Sequence, residues 1–162
     1  MKQCVPNSKA SFTFSRPIGL DTKTWRYVEP IFEALHQAQH QTGRFKFYDY
    51  LTAVYRTYKE WRELGISKRM ACHVAEYFNI PHRKGTSSAR TLIDATFPAL
   101  DPKQKSRWSR ALEFAALTKV TPDDLPKLFK NCSGIAGCAR LATKRKPKKN
   151  THRDDWASGP SS

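Results

Sequence analysis

The sequence has few of the features that define membrane-spanning, secreted and disulfide-stabilised proteins. No apolar run approaches the roughly 18 residues of a membrane span, and the first residues lack the apolar centre of a secretory signal peptide. The chain contains four cysteines in 162 residues, which do not make a disulfide framework at this length. We therefore expect a cytoplasmic protein with reduced thiols and no membrane segment.

Motifs for catalysis or for cofactor binding are also missing. The sequence contains no glycine-rich phosphate loop, no His-Glu-x-x-His and no Gly-x-Ser-x-Gly. His36 and His40 have the spacing of one helix face, but no third ligand accompanies them, so we expect a hydrated helix face there and no metal site. These absences predict a protein that is not an enzyme and that has neither a cofactor nor a metal.

Acidic residues are scarce relative to basic ones. The chain has 29 Lys and Arg against 14 Asp and Glu, a formal net charge of +15, and the excess is spread along its length. Self-repulsion of like charges opposes a compact state, whereas a polyanion offsets that cost because each contacted phosphate releases condensed counterions. The charge therefore favours a protein that binds nucleic acid over a soluble protein that merely has a high pI.

Segments that alternate with a period of two are rare, and apolar residues recur at helical spacing instead. The sequence predicts an all-α fold, a compact bundle of six or seven helices. We expect an irregular N-terminal arm over 1–20, a single helical domain over 21–143 and a basic flexible tail over 144–162. The clearest apolar stripe lies in a helix predicted over 44–63. Its members are Phe47, Leu51, Val54, Tyr58 and Trp61.

Other local signals set the expected helix boundaries. Pro30 predicts a kink or a break near residues 28–29. Asp101, followed by a proline, predicts a capped helix start. A last helix is expected from Ser133. Its predicted buried residues are Ile135, Cys138 and Leu141.

The segment Ser67–Thr96 resembles a helix-turn-helix. Ala75 lies mid-helix, where two helices approach closely, and Ile80 is an apolar turn residue. Asn79 stands in place of the usual turn glycine, although Asn tolerates positive φ, and the turn is longer than usual. The resemblance implies that the following helix enters a DNA major groove. Its expected outward, base-contacting residues are Ser87, Ser88, Arg90 and Thr91.

Basic side chains beyond the turn are expected to contact phosphates. Positive charge on the first two turns after Asp101 is unfavourable with respect to the helix dipole. Either a phosphate partner or a solvated helix face would explain why cations occur there. The predicted phosphate-contacting residues are Arg83, Lys84, Lys103, Lys105, Arg107, Arg110, Lys144, Arg145, Lys146, Lys148 and Lys149.

The helix around Ser133–Ala142 resembles the first helix of a helix-turn-helix in small bacterial regulators. The expected second helix is missing, and a basic run follows instead. Either this is a plain packing helix, whose small residues allow close contact, or it delivers the basic tail to a phosphate backbone.

Together these patterns predict a nucleic-acid-binding protein, with double-stranded DNA favoured over RNA, acting as a helix-turn-helix regulator of transcription or an accessory factor. One alternative is RNA binding through the same basic face, with Tyr48, Tyr50 or Tyr55 exposed as stacking platforms. Another is a helical protein-interaction module that docks an acidic partner. The sequence leaves the target site open, and it leaves open whether the protein is a homo-oligomer.

Overall fold

Seven α-helices and one 3₁₀ turn form the part of the chain that the structure describes. This computed structural model describes residues 14–81 and 83–145, and no strand occurs within those ranges. The helices are α1 (Thr22–His40), α2 (Tyr48–Glu63), α3 (Ser67–Tyr77), α4 (Ser88–Thr96), α5 (Pro102–Leu117), α6 (Leu125–Asn131) and α7 (Ile135–Arg145), with the 3₁₀ turn at Pro122–Asp124 before α6. The predicted all-α helical bundle is confirmed.

The predicted terminal segments are described only in part. Residues 14–20 of the expected arm contain a turn and no helix. The rest of the arm and residues 146–162 of the expected tail lie outside the described residues. Lys144 and Arg145 belong to the last turn of α7, so the final helix extends beyond the boundary predicted at 143.

Helix α2 lies at the centre of the core. Leu51, Val54 and Trp61 are fully buried and Tyr58 nearly so, which confirms four of the five stripe positions. Phe47 is half-buried at the start of the helix, where its ring lies 5.3 Å from that of Trp108 between centroids. The helix contacts α1, α3, α4 and α5, and eight of its 16 residues are buried.

The expectation that Tyr48, Tyr50 or Tyr55 is exposed is wrong, because α2 is covered on most sides. Tyr50 shares a 2.8 Å hydrogen bond with the hydroxyl of Thr96, and the Tyr55 hydroxyl donates to the carbonyl of Val120 at 2.8 Å. Burial raises the pKa of Tyr55 to about 12. All three rings are buried, so none of them is a platform on which a base could stack.

The start of α5 follows its capping signal, and of the kink or break predicted at Pro30 the break does not occur. The Asp101 carboxylate accepts from the backbone N–H groups of Lys103 and Gln104 at 3.0 and 3.1 Å, as predicted. Helix α1 continues through Pro30 without a break. Proline removes one backbone hydrogen bond, and the buried side chains of Val28 and Ile31 on either side hold the helix against the core.

Helix α7 packs along α5 through small residues. Cys138 is fully buried as predicted, and burial raises the pKa of its thiol to about 12. Leu141 is 39% exposed, so its predicted burial is wrong, and Ala142 occupies the buried position instead. Gly137 is required at the start of the helix, because a Cβ there would lie 1.5 Å from the carbonyl oxygen of Cys132.

No helix within residues 14–81 and 83–145 combines the length and the apolar character needed to cross a bilayer.

Candidate nucleic-acid interface

The residues predicted to contact bases lie on α4, which is largely buried. Ser88 is 8% and Thr91 is 2% exposed, so the expectation that they face outward is wrong. The reason is that α4 packs against α1, α2, α3 and α5. Ser87 is the N-cap, and its hydroxyl accepts from the backbone N–H of Arg90 at 3.2 Å. These three side chains serve the fold of α4.

Arg90 points into an ionic cluster between α4 and α5. Its Nε donates to Asp94 Oδ2 at 2.9 Å and its Nη1 donates to Ser106 Oγ at 2.7 Å. The Arg90 side chain is 25% exposed to solvent. Arg90 is therefore held along the protein surface, and its reach toward a base edge is limited by these two bonds.

The turn between α3 and α4 is long, since α3 ends at Tyr77 and α4 begins at Ser88, and it contains one backbone feature that the sequence predicts. Asn79 adopts a φ of 53°, the left-handed conformation that a turn glycine normally supplies. The two helices pack against each other. The difference from a DNA-reading pair is that other helices cover the second helix.

Lys105, predicted to contact phosphate, is buried on the inner side of α5. Its Nζ donates to the carbonyl of Pro98 at 3.0 Å and lies 3.2 Å from Asp94 Oδ1. The residue is 8% exposed, so a phosphate contact from this side chain is ruled out in this conformation. Asp94 thus accepts from two cations, Arg90 and Lys105.

The other cations of α5 line a groove that this helix forms with α7, called here the α5–α7 groove. Lys103, Arg107 and Arg110 recur at intervals of four and three residues, which places them on one helix face. All three are exposed, and Arg140 of α7 completes the set. The groove has a volume of about 700 Å³, and alanines of α7 line part of its surface.

The α5–α7 groove contains positive charge without neutralising partners. Among the described residues that line it, none is acidic and none forms an ion pair. Elsewhere on the surface several cations are paired, as in Arg56 with Asp123 at 3.1 Å and Lys127 with Asp124 at 2.9 Å. The groove therefore concentrates unpaired cations in one concave surface.

Sequence reasoning identified three of the four groove cations and missed Arg140. The sequence-based alternative, in which the last helix delivers charge to a phosphate backbone, assigns that charge to the basic run after Ala142 and does not include Arg140. The available signal was the spacing of Arg140 from Ala136 and Thr143, which places all three on one side of α7. The small residues of α7 allow it to pack closely against α5, and Arg140, which lies beside them, stays exposed.

The remaining predicted phosphate contacts are distributed over other parts of the surface. Arg83 and Lys84 are exposed in the turn before α4, and Lys144 is exposed at the end of α7. The Arg145 guanidinium lies 5.5 Å from the ring centroid of Phe114. Lys146, Lys148 and Lys149 lie outside the described residues.

His36 and His40 lie close together on α1. The Nε2 atoms of His36 and His40 lie 3.1 Å apart. No group of three or more His, Cys, Asp or Glu side chains that could hold an ion occurs in residues 14–81 or 83–145.

Comparison with known proteins finds no family model, no curated protein and no solved structure that matches this chain.

Proposed function

We propose that the protein binds nucleic acid through the α5–α7 groove, with double-stranded DNA as its ligand. The observation that carries this proposal is that Lys103, Arg107, Arg110 and Arg140 line one groove in which no described lining residue is acidic. Four exposed cations held side by side repel one another, and phosphates relieve that repulsion while releasing counterions.

The form of the ligand follows from what lines the groove besides charge. Its remaining described residues are a proline, alanines, a serine and a threonine, with no aromatic side chain. Proteins that hold single strands generally stack bases on aromatic rings, and phosphate-tracking proteins need only cations and small polar groups. The groove therefore suits the backbone of a duplex better than unstacked bases.

The burial of α4 bears on specificity. Contacts to phosphates position a protein on DNA without reading sequence, and reading requires side chains at base edges. Ser88 and Thr91 are buried and Arg90 is engaged with Asp94 and Ser106. We expect a protein that binds many duplex sequences with similar affinity, which favours an accessory factor over a regulator of one site.

Charge-matched triple variants test the proposal. Lys103→Gln, Arg107→Gln and Arg140→Gln together empty the groove of three cations. Lys23→Gln, Arg26→Gln and Arg69→Gln remove the same charge from exposed positions on α1 and α3. Duplex affinity is measured for both by fluorescence anisotropy over a range of salt concentrations.

If each groove cation meets one phosphate, the logarithm of affinity should fall against the logarithm of salt with a slope of about −3.6 for the wild type. The groove variant should lose about 2.7 units of this slope, and the control variant should lose little. Equal losses in both variants would show that overall charge, and not the groove, binds DNA. Duplex RNA and an acidic polypeptide, measured in parallel, test the two alternative partners directly.

A further inference from the structure

A second concave surface, called here the α4–α5 cleft, adjoins the α5–α7 groove along α5. It has a volume of about 810 Å³ and is bounded by α4, α5, the end of α3 and the turn that follows α3. Ligand pockets are commonly about 300–1,000 Å³, so the cleft has room for a small molecule. Pro102, Ser106 and Arg110 line both surfaces.

The floor of the cleft holds more positive charge than its one partly buried carboxylate neutralises. Asp94 is bonded to Arg90 at 2.9 Å and lies 3.2 Å from the ammonium of Lys105, and the three side chains are 20%, 25% and 10% exposed. Two cations removed from most of their water and sharing one carboxylate leave a net positive charge in a region of reduced dielectric. Such a region attracts an anion strongly.

The mouth of the cleft adds to this excess. Arg83, from the turn, and Arg110, from α5, also line it and are exposed, and Glu113 is the one further acidic residue among the described lining residues. Four cations therefore face two carboxylates, an excess of two positive charges. A phosphate monoester, which carries between one and two negative charges near neutral pH, matches that excess.

One wall of the cleft is partly apolar, although Asn79 and Arg83 come from the same turn. Phe78, Ile80 and Pro81, from the end of α3 and the turn, line it, whereas the charged groups come from α4, α5 and Arg83. A ligand that satisfies both walls has a phosphate and a flat apolar part. Nucleotides combine these two features.

We propose that the α4–α5 cleft binds a nucleoside monophosphate, with the phosphate held by Arg83 and Arg110 above the Arg90–Asp94–Lys105 cluster and the base against the apolar wall. The same chemical group is available from a free nucleotide or from the phosphorylated end of a strand. This proposal does not depend on duplex binding in the α5–α7 groove.

Isothermal titration calorimetry of the full chain with AMP tests the assignment, with adenosine and inorganic phosphate titrated separately. AMP should bind saturably, and each fragment should bind more weakly than AMP. Arg83→Gln should weaken AMP binding by about tenfold, the loss expected for one charge-assisted hydrogen bond. Lys84→Gln is the matched control, because Lys84 is the exposed neighbouring residue and does not line the cleft.

The absence of saturable AMP binding at millimolar concentration would overturn the proposal, as would inorganic phosphate or adenosine binding as tightly as AMP. Equal effects of Arg83→Gln and Lys84→Gln would also overturn it. A short single strand with a 5′-phosphate, added in competition, identifies the source. Displacement of AMP by this strand, and not by its 5′-hydroxyl form, supports a strand end, whereas displacement by neither supports a free nucleotide.

These experiments distinguish a failure of the cleft proposal from a failure of the groove proposal. Lys103 lines the groove and not the cleft, so Lys103→Gln should weaken duplex binding and leave AMP binding unchanged. Arg83 lines the cleft and not the groove, so Arg83→Gln should have the opposite pattern.

Discussion

The two sides of helix α5 carry cations that differ in what surrounds them. Toward α4, Lys105 is buried and its ammonium lies against Asp94 and the carbonyl of Pro98. Toward α7, Lys103 and Arg107 are exposed and no described acidic residue lines the groove that they enter. The same residue type, two positions apart on one helix, contributes to folding on one side and is available to a ligand on the other.

The difference shows that a count of basic residues along a helix does not identify an anion-binding surface. What decides the role of each cation is whether the fold supplies a carboxylate within reach. Asp94 lies on α4, and it meets Lys105 because α4 packs against α5. No carboxylate of a described residue occupies the corresponding place on the α7 side.

The largest effect that tests this comparison is expected from Asp94→Asn. The change keeps the shape of the side chain but leaves Arg90 and Lys105 close together without a carboxylate. We expect a loss of about 2–4 kcal/mol in unfolding free energy, somewhat below the value for a fully buried pair because the side chains stay partly exposed. Urea unfolding followed by circular dichroism measures it.

Asp123→Asn is the control for that measurement. Asp123 also pairs with an arginine, at 3.1 Å from Arg56, but its side chain is 87% exposed. Pairs in solvent contribute little to stability, so the midpoint should hardly move. A similar loss in both variants would mean that the Arg90–Asp94–Lys105 cluster contributes no more to stability than a surface pair.

A smaller loss is expected from Gly137→Ala, which tests how α7 is placed on the other side of α5. The new Cβ would lie 1.5 Å from the Cys132 carbonyl oxygen, so the start of α7 must shift. Overpacking costs about 1–3 kcal/mol, and we expect the upper part of that range because the contacted atom belongs to the backbone. Thermal unfolding should show the loss, whereas Ala136→Ser, at the exposed position just before it, should leave the midpoint nearly unchanged.

How far the sequence predicts this molecule depends on whether a feature is local. The α2 stripe is a regular pattern over four turns, and four of its five residues are buried as expected. The Asp101 cap needs only residues two and three positions away. Such features depend on periodicity and on neighbouring backbone groups, which the sequence shows directly.

The misassigned site residues depend on contacts between helices. Ser88 and Thr91 are short polar residues, which pattern reasoning places outside, but α4 is surrounded and Thr91 satisfies its hydroxyl locally by donating to the carbonyl of Ser87 at 3.3 Å. Lys105 meets Asp94 across two helices. No spacing along the chain indicates that pair, because it exists only after α4 and α5 have packed.

The smallest effects come from the two lysines of α5, and their contrast is the sharpest test of the comparison. Lys105→Gln removes a buried partner of Asp94, so it should cost about 1–2 kcal/mol of stability and leave the salt dependence of duplex binding unchanged. Lys103→Gln removes an exposed cation of the groove, so it should leave stability unchanged and flatten the salt slope by about one unit. Both variants lose one charge from the same helix, so a general effect of net charge would move both slopes together. If Lys105→Gln flattens the slope as much as Lys103→Gln does, the distinction between the two sides of α5 is wrong. If neither does, the α5–α7 groove is not where phosphates bind.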